Sequence, residues 1–151
     1  PDPNHRKKLL SVVVVGGGFS GVEVAGEIHD LLSTSCKFYS DINPADIRVT
    51  VLHRGPRLLP ELPESLGEFT VAKMRARGID VRLKSEAAAV TERAVLLKSG
   101  EEIPAATVVC TIGSAPNPLL CTTGLPMDKN RLKVDGLFRC EGRDNVWALG
   151  D

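Results

Sequence analysis

Apolar positions along this chain change their period several times, and each change marks a predicted element. Residues 9–15, LLSVVVV, are nearly all apolar and valine-rich, as expected of a parallel strand covered on both faces. Past a cluster of glycines, Val22, Ala25, Ile28 and Leu32 return at steps of three and four. That is one apolar stripe of a helix reaching about residue 33. Residues 34–46 are mostly polar, a longer irregular connection than most. IRVTVL at 47–52 alternates and stops at His53-Arg54-Gly55-Pro56, a strand meeting a loop. Ser65 and Glu68 then have capping-box spacing, Leu66, Phe69 and Met74 form a second helical stripe, and Gly78 ends it. Ile79, Val81 and Leu83 alternate as a third strand.

The texture changes after this. Residues 87–91, 94–98 and 102–104 read as short strands, with turns at Thr91-Glu92-Arg93 and Ser99-Gly100, an antiparallel meander. Residues 107–112 form another buried apolar run, closing on Gly113. The order β-α-β-α-β, meander, β predicts an α/β fold: a Rossmann-like parallel sheet with helices and an antiparallel β-meander. From residue 114 the periodicity is weak, punctuated by Pro116, Pro118, Gly124 and Pro126. The strand-like VWAL at 146–149 runs into a final Gly-Asp with no helix after it, so the expectation is a piece cut from a longer protein.

Composition narrows the function classes. Lys+Arg and Asp+Glu both number 19, so no net field draws the chain to nucleic acid or anionic lipid. The one basic run, His5-Arg6-Lys7-Lys8, lies in a lead-in over residues 1–9 and is expected to be solvated. No apolar segment is long enough to span a bilayer. Cys36, Cys110, Cys121 and Cys140 are scattered without a C-x-x-C or C-x-x-x-x-C pair, as are His5, His29 and His53. Neither a metal site nor a redox dithiol is expected, and plain thiols fit a reducing, cytoplasmic setting.

SVVVVGGGFSGVEVAGE, from residue 11, carries the candidate chemistry. Gly16, Gly18 and Gly21 follow a buried strand and open a helix, the context that the G-x-G-x-x-G fingerprint requires. Gly16 permits the tight turn, Gly18 lets the backbone approach a pyrophosphate, and Gly21 lets the helix lie close to the strand. The helix start offers free N–H groups and partial positive charge. The plainer reading is a glycine-rich turn; the flanking elements favour the cradle. Glu23 has two open readings, a capping-box partner of Ser20 or a hydrogen-bond acceptor for a nicotinamide carboxamide. Glu27 reads as structural or solvated. At the end of the second strand, where an acid usually grips the adenosine ribose, stands His53, followed by Arg54 and Arg57. Two guanidiniums with no carboxylate could pair with a 2′-phosphate; equally, His53 could hydrogen-bond the ribose of NADH.

VVVVGGGFSGVEVAGE, VTVLHRGPRLLPELPESLGEFTVAKMRARGIDV, TVVCTIGSAPNPLL and VWALGD, in that order, resemble the two-dinucleotide-binding flavoprotein oxidoreductases (the pyridine nucleotide-disulfide oxidoreductase superfamily). Within them the type II NADH dehydrogenases, NAD(P)H:quinone oxidoreductases, are the most similar. The resemblance spans almost the whole chain and implies an FAD/NAD(P)-binding type of fold, with residues 10–113 as the NAD(P)H-binding domain. Residues 114–151 would then be a linker and the start of the second half of a truncated FAD-binding domain. It implies that Gly16, Gly18, Phe19, Ser20 and Gly21 line the pyrophosphate, that Glu23 faces the nicotinamide, and that Gly113 lies close to the cofactor. Asp151 matches an aspartate on the ribityl chain of FAD. His53 departs from the acidic residue usual in NADH users, which leaves NADH or NADPH open.

The resemblance further implies hydride transfer from NAD(P)H to FAD in the intact protein, then to an acceptor such as a quinone. The FAD-binding segments that would partner this chain are absent from it, so the chain alone is expected to be inactive. The intact protein would be cytoplasmic or peripheral on the cytoplasmic membrane face. No catalytic residue is assigned, because positioning is the protein's share of such chemistry. Two other classes stand beside this one: another flavoprotein reductase (ferredoxin, nitrite or disulfide), and a non-catalytic nucleotide-sensing module. A short-chain dehydrogenase is excluded, since Tyr39 meets Asn43 where Tyr-x-x-x-Lys needs lysine.

Overall fold

The computed structural model of the protein describes residues 3–113 and 117–150. Along the chain come α1 (Pro3–Leu9), β1 (Ser11–Val15), α2 (Phe19–Ser35), β2 (Arg48–Leu52), α3 (Glu64–Ala76), β3 (Asp80–Arg82), β4 (Ala87–Val90), β5 (Ala94–Leu97), β6 (Glu102–Pro104), β7 (Thr107–Cys110), β8 (Met127–Asp128) and β9 (Arg131–Leu132). The chain divides into two units, Pro1–Ile112 and Gly113–Asp151.

In the first unit β3, β2, β1 and β7 form a wholly parallel sheet in that order. Its valines alternate between two cores, as a strand period of two demands. Val14, Val49, Val51 and Val81 pack with Ala25 of α2 and Met74 of α3. Val13 and Leu52 face the other way, onto Val95, Leu97 and Ile103 of the antiparallel sheet β4-β5-β6. Each such side chain contributes ~1.5–3 kcal/mol relative to leaving it in water. The predicted α/β order and meander are therefore present, and the predicted α2 stripe holds: Val22, Ile28 and Leu32 pack against the first cluster around buried Ala25.

Several expectations are corrected. The basic lead-in, to which periodicity assigns no element, is a helix: α1 carries Arg6, Lys7 and Lys8, and Ser11 Oγ donates to the Lys7 carbonyl at 2.7 Å, closing the helix onto β1. Seven residues are too few to show a periodic stripe. The first strand accordingly starts at Ser11, and α2 runs on to Ser35 before a 3₁₀ turn, Cys36–Phe38. On α3 the cap is Pro63, with no side-chain hydrogen bond, so Ser65 and Glu68 form no capping box. Its buried positions are Gly67 and Met74, while Leu66 and Phe69 are exposed. Lys73 covers the Phe69 ring at 5.3 Å from its centroid, a cation–π contact that shelters an outward aromatic. The last apolar run is not buried on both faces either: β7 is an edge strand, and Thr107 and Cys110 are exposed.

The second unit holds a 3₁₀ turn, Pro118–Thr122, started by Asn117, whose Oδ1 accepts from the Leu119 amide at 3.0 Å. β8 and β9 pair antiparallel through Lys129 and Asn130, both at positive φ (47° and 64°), the backbone of a two-residue hairpin turn. Residues 146–149 form no strand; Trp147 makes one isolated bridge to Arg139, and Val134 another to the buried Cys140.

Candidate functional site

β1 carries the chain to the carboxyl edge of the parallel sheet, where the strand order departs to both sides, β2 on one and β7 on the other. Crevices at such switch points are where open α/β sheets bind ligands. The glycines that follow are held tightly. Gly16 has φ +123°, in the region that favours glycine, and its N–H donates to the Leu52 carbonyl at 2.9 Å. A Cβ there would lie 2.5 Å from Thr111 Oγ1. A Cβ on Gly21 would lie 1.9 Å from the Gly16 carbonyl oxygen. The first turn of α2 therefore rests on the end of β1 at a distance that only hydrogen allows. Gly18, by contrast, is extended (φ −80°, ψ −170°), caps α2 without a side-chain hydrogen bond, and has no atom within 4 Å of its Cβ direction.

What the turn leaves over is a row of donors. Val22 is the first amide of α2 to find a helical acceptor, the Gly18 carbonyl at 3.1 Å. Among the described residues no acceptor meets the amides of Gly18, Phe19, Ser20 or Gly21. Phe19 and Ser20 are exposed, Gly18 is half-buried and Gly21 is buried, and the four amides stand at the positive end of a 17-residue helix. Gly17 is different: its N–H donates to His53 Nδ1 at 3.2 Å and its carbonyl accepts from Leu59 N–H at 2.8 Å.

The predicted partners divide. Ser20 does not cap the helix, since Gly18 occupies that place, so the capping-box reading of Glu23 falls away. Glu23 is exposed. Arg54 is exposed, while Arg57 Nη2 donates to the Pro60 carbonyl at 2.9 Å. His53 turns inward to the loop. Burial holds its pKa below the ordinary histidine value, with the positive charge of Arg54 acting the same way and Glu61 and the Arg57 backbone opposing. Gly113 is exposed at the boundary of the two units, and Asp151 lies outside the described residues.

Two residues of this site are not apparent from periodicity. Thr111 donates its hydroxyl to the Val15 carbonyl at 3.1 Å and fills the space beneath Gly16 and Gly21. Leu59 is buried at φ +50°, a left-handed conformation costing ~1–2 kcal/mol for such a residue, and its amide fixes Gly17. Its position before Pro60, which disfavours the right-handed helical region, is the only sequence signal. An open cleft between β1, β2 and β6, lined by Ser11, Arg48, Asp80 and Glu102 among others, lies at the opposite edge of the sheet and includes none of the loop glycines. Among the described residues no cluster of His, Cys, Asp or Glu could hold a metal, and no helix is long and apolar enough to cross a membrane.

Known proteins share this arrangement. The chain is 33% identical over 154 residues to the external alternative NAD(P)H-ubiquinone oxidoreductase B2, mitochondrial, of Arabidopsis thaliana, covering 97% of itself and 26% of that protein. It is 29% identical to the type II NADH:quinone oxidoreductase of Haemophilus influenzae, covering 94% of itself and 33% of that protein. Among solved structures it superposes on NDH2 from Plasmodium falciparum in complex with NADH with a TM-score of 0.87 at 28% identity, over 98% of this chain and 32% of that one. The chain thus spans about a third or less of the length of these relatives. A family model described as pyridine nucleotide-disulphide oxidoreductase matches residues 2–151. That match takes in the parallel sheet, the meander and the glycine-lined start of α2, and the chain belongs to the pyridine nucleotide-disulphide oxidoreductase family.

Proposed function

We propose that this chain is the nicotinamide-dinucleotide-binding part of an FAD-dependent NAD(P)H dehydrogenase whose electrons pass to a quinone. The observation that carries this reading is the unfilled row of amides at Gly18, Phe19, Ser20 and Gly21, over a strand–helix approach so close that a Cβ on Gly21 would lie 1.9 Å from the Gly16 carbonyl oxygen. A diphosphate supplies oxygens to such donors and negative charge to the helix end. Residues 10–113 would form the nucleotide domain, with Glu23 toward the nicotinamide and His53 and Arg54 on the adenosine side. Gly113 is proposed to lie against the bound nucleotide, and Asp151 to hydrogen-bond the ribityl chain of FAD. When bound, the reduced nicotinamide supplies a hydride. This chain's residues bind and orient it, and the flavin site would be completed by segments of a longer protein. The names of the Arabidopsis and Haemophilus relatives support NAD(P)H and a quinone as the reactants; with such an acceptor, the whole protein would work at a membrane surface as a peripheral enzyme.

The test is titration of the chain with NADH and NADPH, followed by calorimetry, beside Gly18→Ala. The free space around Gly18 means that a methyl disturbs no protein atom, while it stands where a pyrophosphate would approach. The variant should unfold at the same temperature as the parent and bind about tenfold or more weakly, the ~1–3 kcal/mol of an overfilled contact. Unchanged affinity for both nucleotides would remove the cradle.

A further inference from the structure

The His53 imidazole occupies the space that side chains at two neighbouring positions would need. A Cβ on Gly17 would lie 2.7 Å from His53 Cγ, and one on Gly55 would lie 2.7 Å from Nε2. Between those two glycines the ring is fixed in one orientation, with Nδ1 3.2 Å from the Gly17 nitrogen. An imidazole nitrogen that accepts an N–H bears no proton, so the neutral ring carries its hydrogen on Nε2. The Gly17 peptide is thereby held at both ends, by Nδ1 at its amide and by Leu59 N–H at its carbonyl. The four free amides follow directly in the chain.

We propose that His53 is a positioning residue: its neutral ring latches the Gly17 peptide, and protonation of the ring releases that peptide and loosens the nucleotide loop. Protonation sets Nδ1–H against the Gly17 N–H, donor against donor, so the hydrogen bond cannot survive. The charged groups about the ring are few. From its own segment it faces Arg54 and, across the turn, Glu61, together with the Arg57 backbone. The β1–α2 loop presents glycines, and Leu58 presents a methyl. The stretch after β2 also meets residues 82–85 through backbone hydrogen bonds, where Arg82 is engaged by Asp80 and Glu101 and Lys84 adds positive charge. Burial and the Arg54 charge both favour the neutral ring, which keeps the latch closed near neutrality. The side chain that would otherwise accept from ribose hydroxyls is committed to the loop.

The effect on nucleotide affinity rests on the reading under Proposed function, so the experiment has a part that needs no nucleotide. In ¹⁵N–¹H spectra of the labelled chain titrated from about pH 8 to about pH 5, spanning the histidine range, the Gly17 amide should shift with the midpoint read from the His53 ring's own resonances. In H53N, whose Oδ1 can replace Nδ1 as acceptor, that resonance should stay in place. In parallel, NADH affinity of the parent chain should fall about tenfold between about pH 7.5 and about pH 5, the loss of one hydrogen bond that orders the site, whereas H53N should stay flat. A Gly17 resonance indifferent to His53, or an H53N curve that follows the parent's, overturns the latch. Should H53N fail to fold, the parent's Gly17 titration decides alone. If no NADH binds at either pH, the cradle fails while the Gly17 titration still decides the latch.

Discussion

Glu23 and Glu27 stand one turn apart on the exposed side of α2, and among the described residues neither lies within ion-pair distance of a cation. Like charges at this spacing cost a helix ~0.2–0.5 kcal/mol. Glu23→Gln is therefore expected to raise the unfolding free energy slightly, by about that amount, while weakening nucleotide binding severalfold; denaturant unfolding and calorimetry on the same preparations check both. A gain in stability with no change in affinity would return Glu23 to an ordinary surface carboxylate. The half-buried His53 adds a second consequence, in stability. Its pKa is lowered in the fold, so between the folded value and the unfolded value of about 6.5 the unfolded chain binds more protons. Stability is fully present above about pH 6.5 and declines as the pH falls through that window. Urea midpoints at descending pH should show this decline, and it should be absent in H53N. The exposed Asp30, held below the usual carboxylate range first by its hydrogen bond from Arg77, loses its contribution only in more acid solution. Legibility at this scale was uneven. The glycines announced themselves because the close approach admits no other residue, but Thr111 and Leu59 act through one hydroxyl and one backbone angle, which leave no periodic trace.

Among the elements, α3 shows how a helix is stopped. Gly78 sits at φ +89°, its N–H donating to the Arg75 carbonyl at 2.9 Å while the Ile79 N–H reaches Met74 at 3.1 Å. That pair of bonds is the Schellman arrangement, with glycine at its left-handed position. The nearest atom to a Cβ there is His29 Nε2 at 3.8 Å, so space is ample and the cost of a side chain is backbone strain alone. Gly78→Ala should lower stability by ~1–2 kcal/mol with the denaturant slope unchanged and nucleotide affinity intact. The stop signal and the alternation of the valine strands were legible, because both depend on local geometry. The face of α3 was not: Leu66, Phe69 and Met74 make as good a stripe as Gly67, Val71 and Met74. The structure chooses the second because Gly67 must slip beside Leu58, whose carbonyl would stand 2.7 Å from a Cβ. Close packing of a glycine overrode hydrophobicity. α1 was invisible for a different reason, since a basic heptapeptide gains its helix from the strand that follows it.

For the whole chain, both hydrophobic clusters and every pairing of the two larger sheets lie within the first unit. A chain ending at Gly113 should fold with the same cooperative transition and, on the proposed function, retain its nucleotide affinity; circular dichroism melting and calorimetry are the measurements. Loss of binding in a folded truncation would give residues 114–151 a part in the site. The fold class was readable from the order of periods, and family membership from four ordered motifs. The two bridges of the second unit were not, because a single backbone pair needs no run of β-branched residues.

The contact between Gly21 and the Gly16 carbonyl also says where this protein can be redesigned. Positions 16 and 21 tolerate no diversity in a combinatorial library, whatever coenzyme is sought, since even a methyl at 21 would fall inside an oxygen atom. Position 18 accepts a side chain without touching a protein atom, yet it would stand at the diphosphate that both coenzymes share, so the exposed Arg54 is where randomised codons can alter coenzyme preference while the scaffold survives.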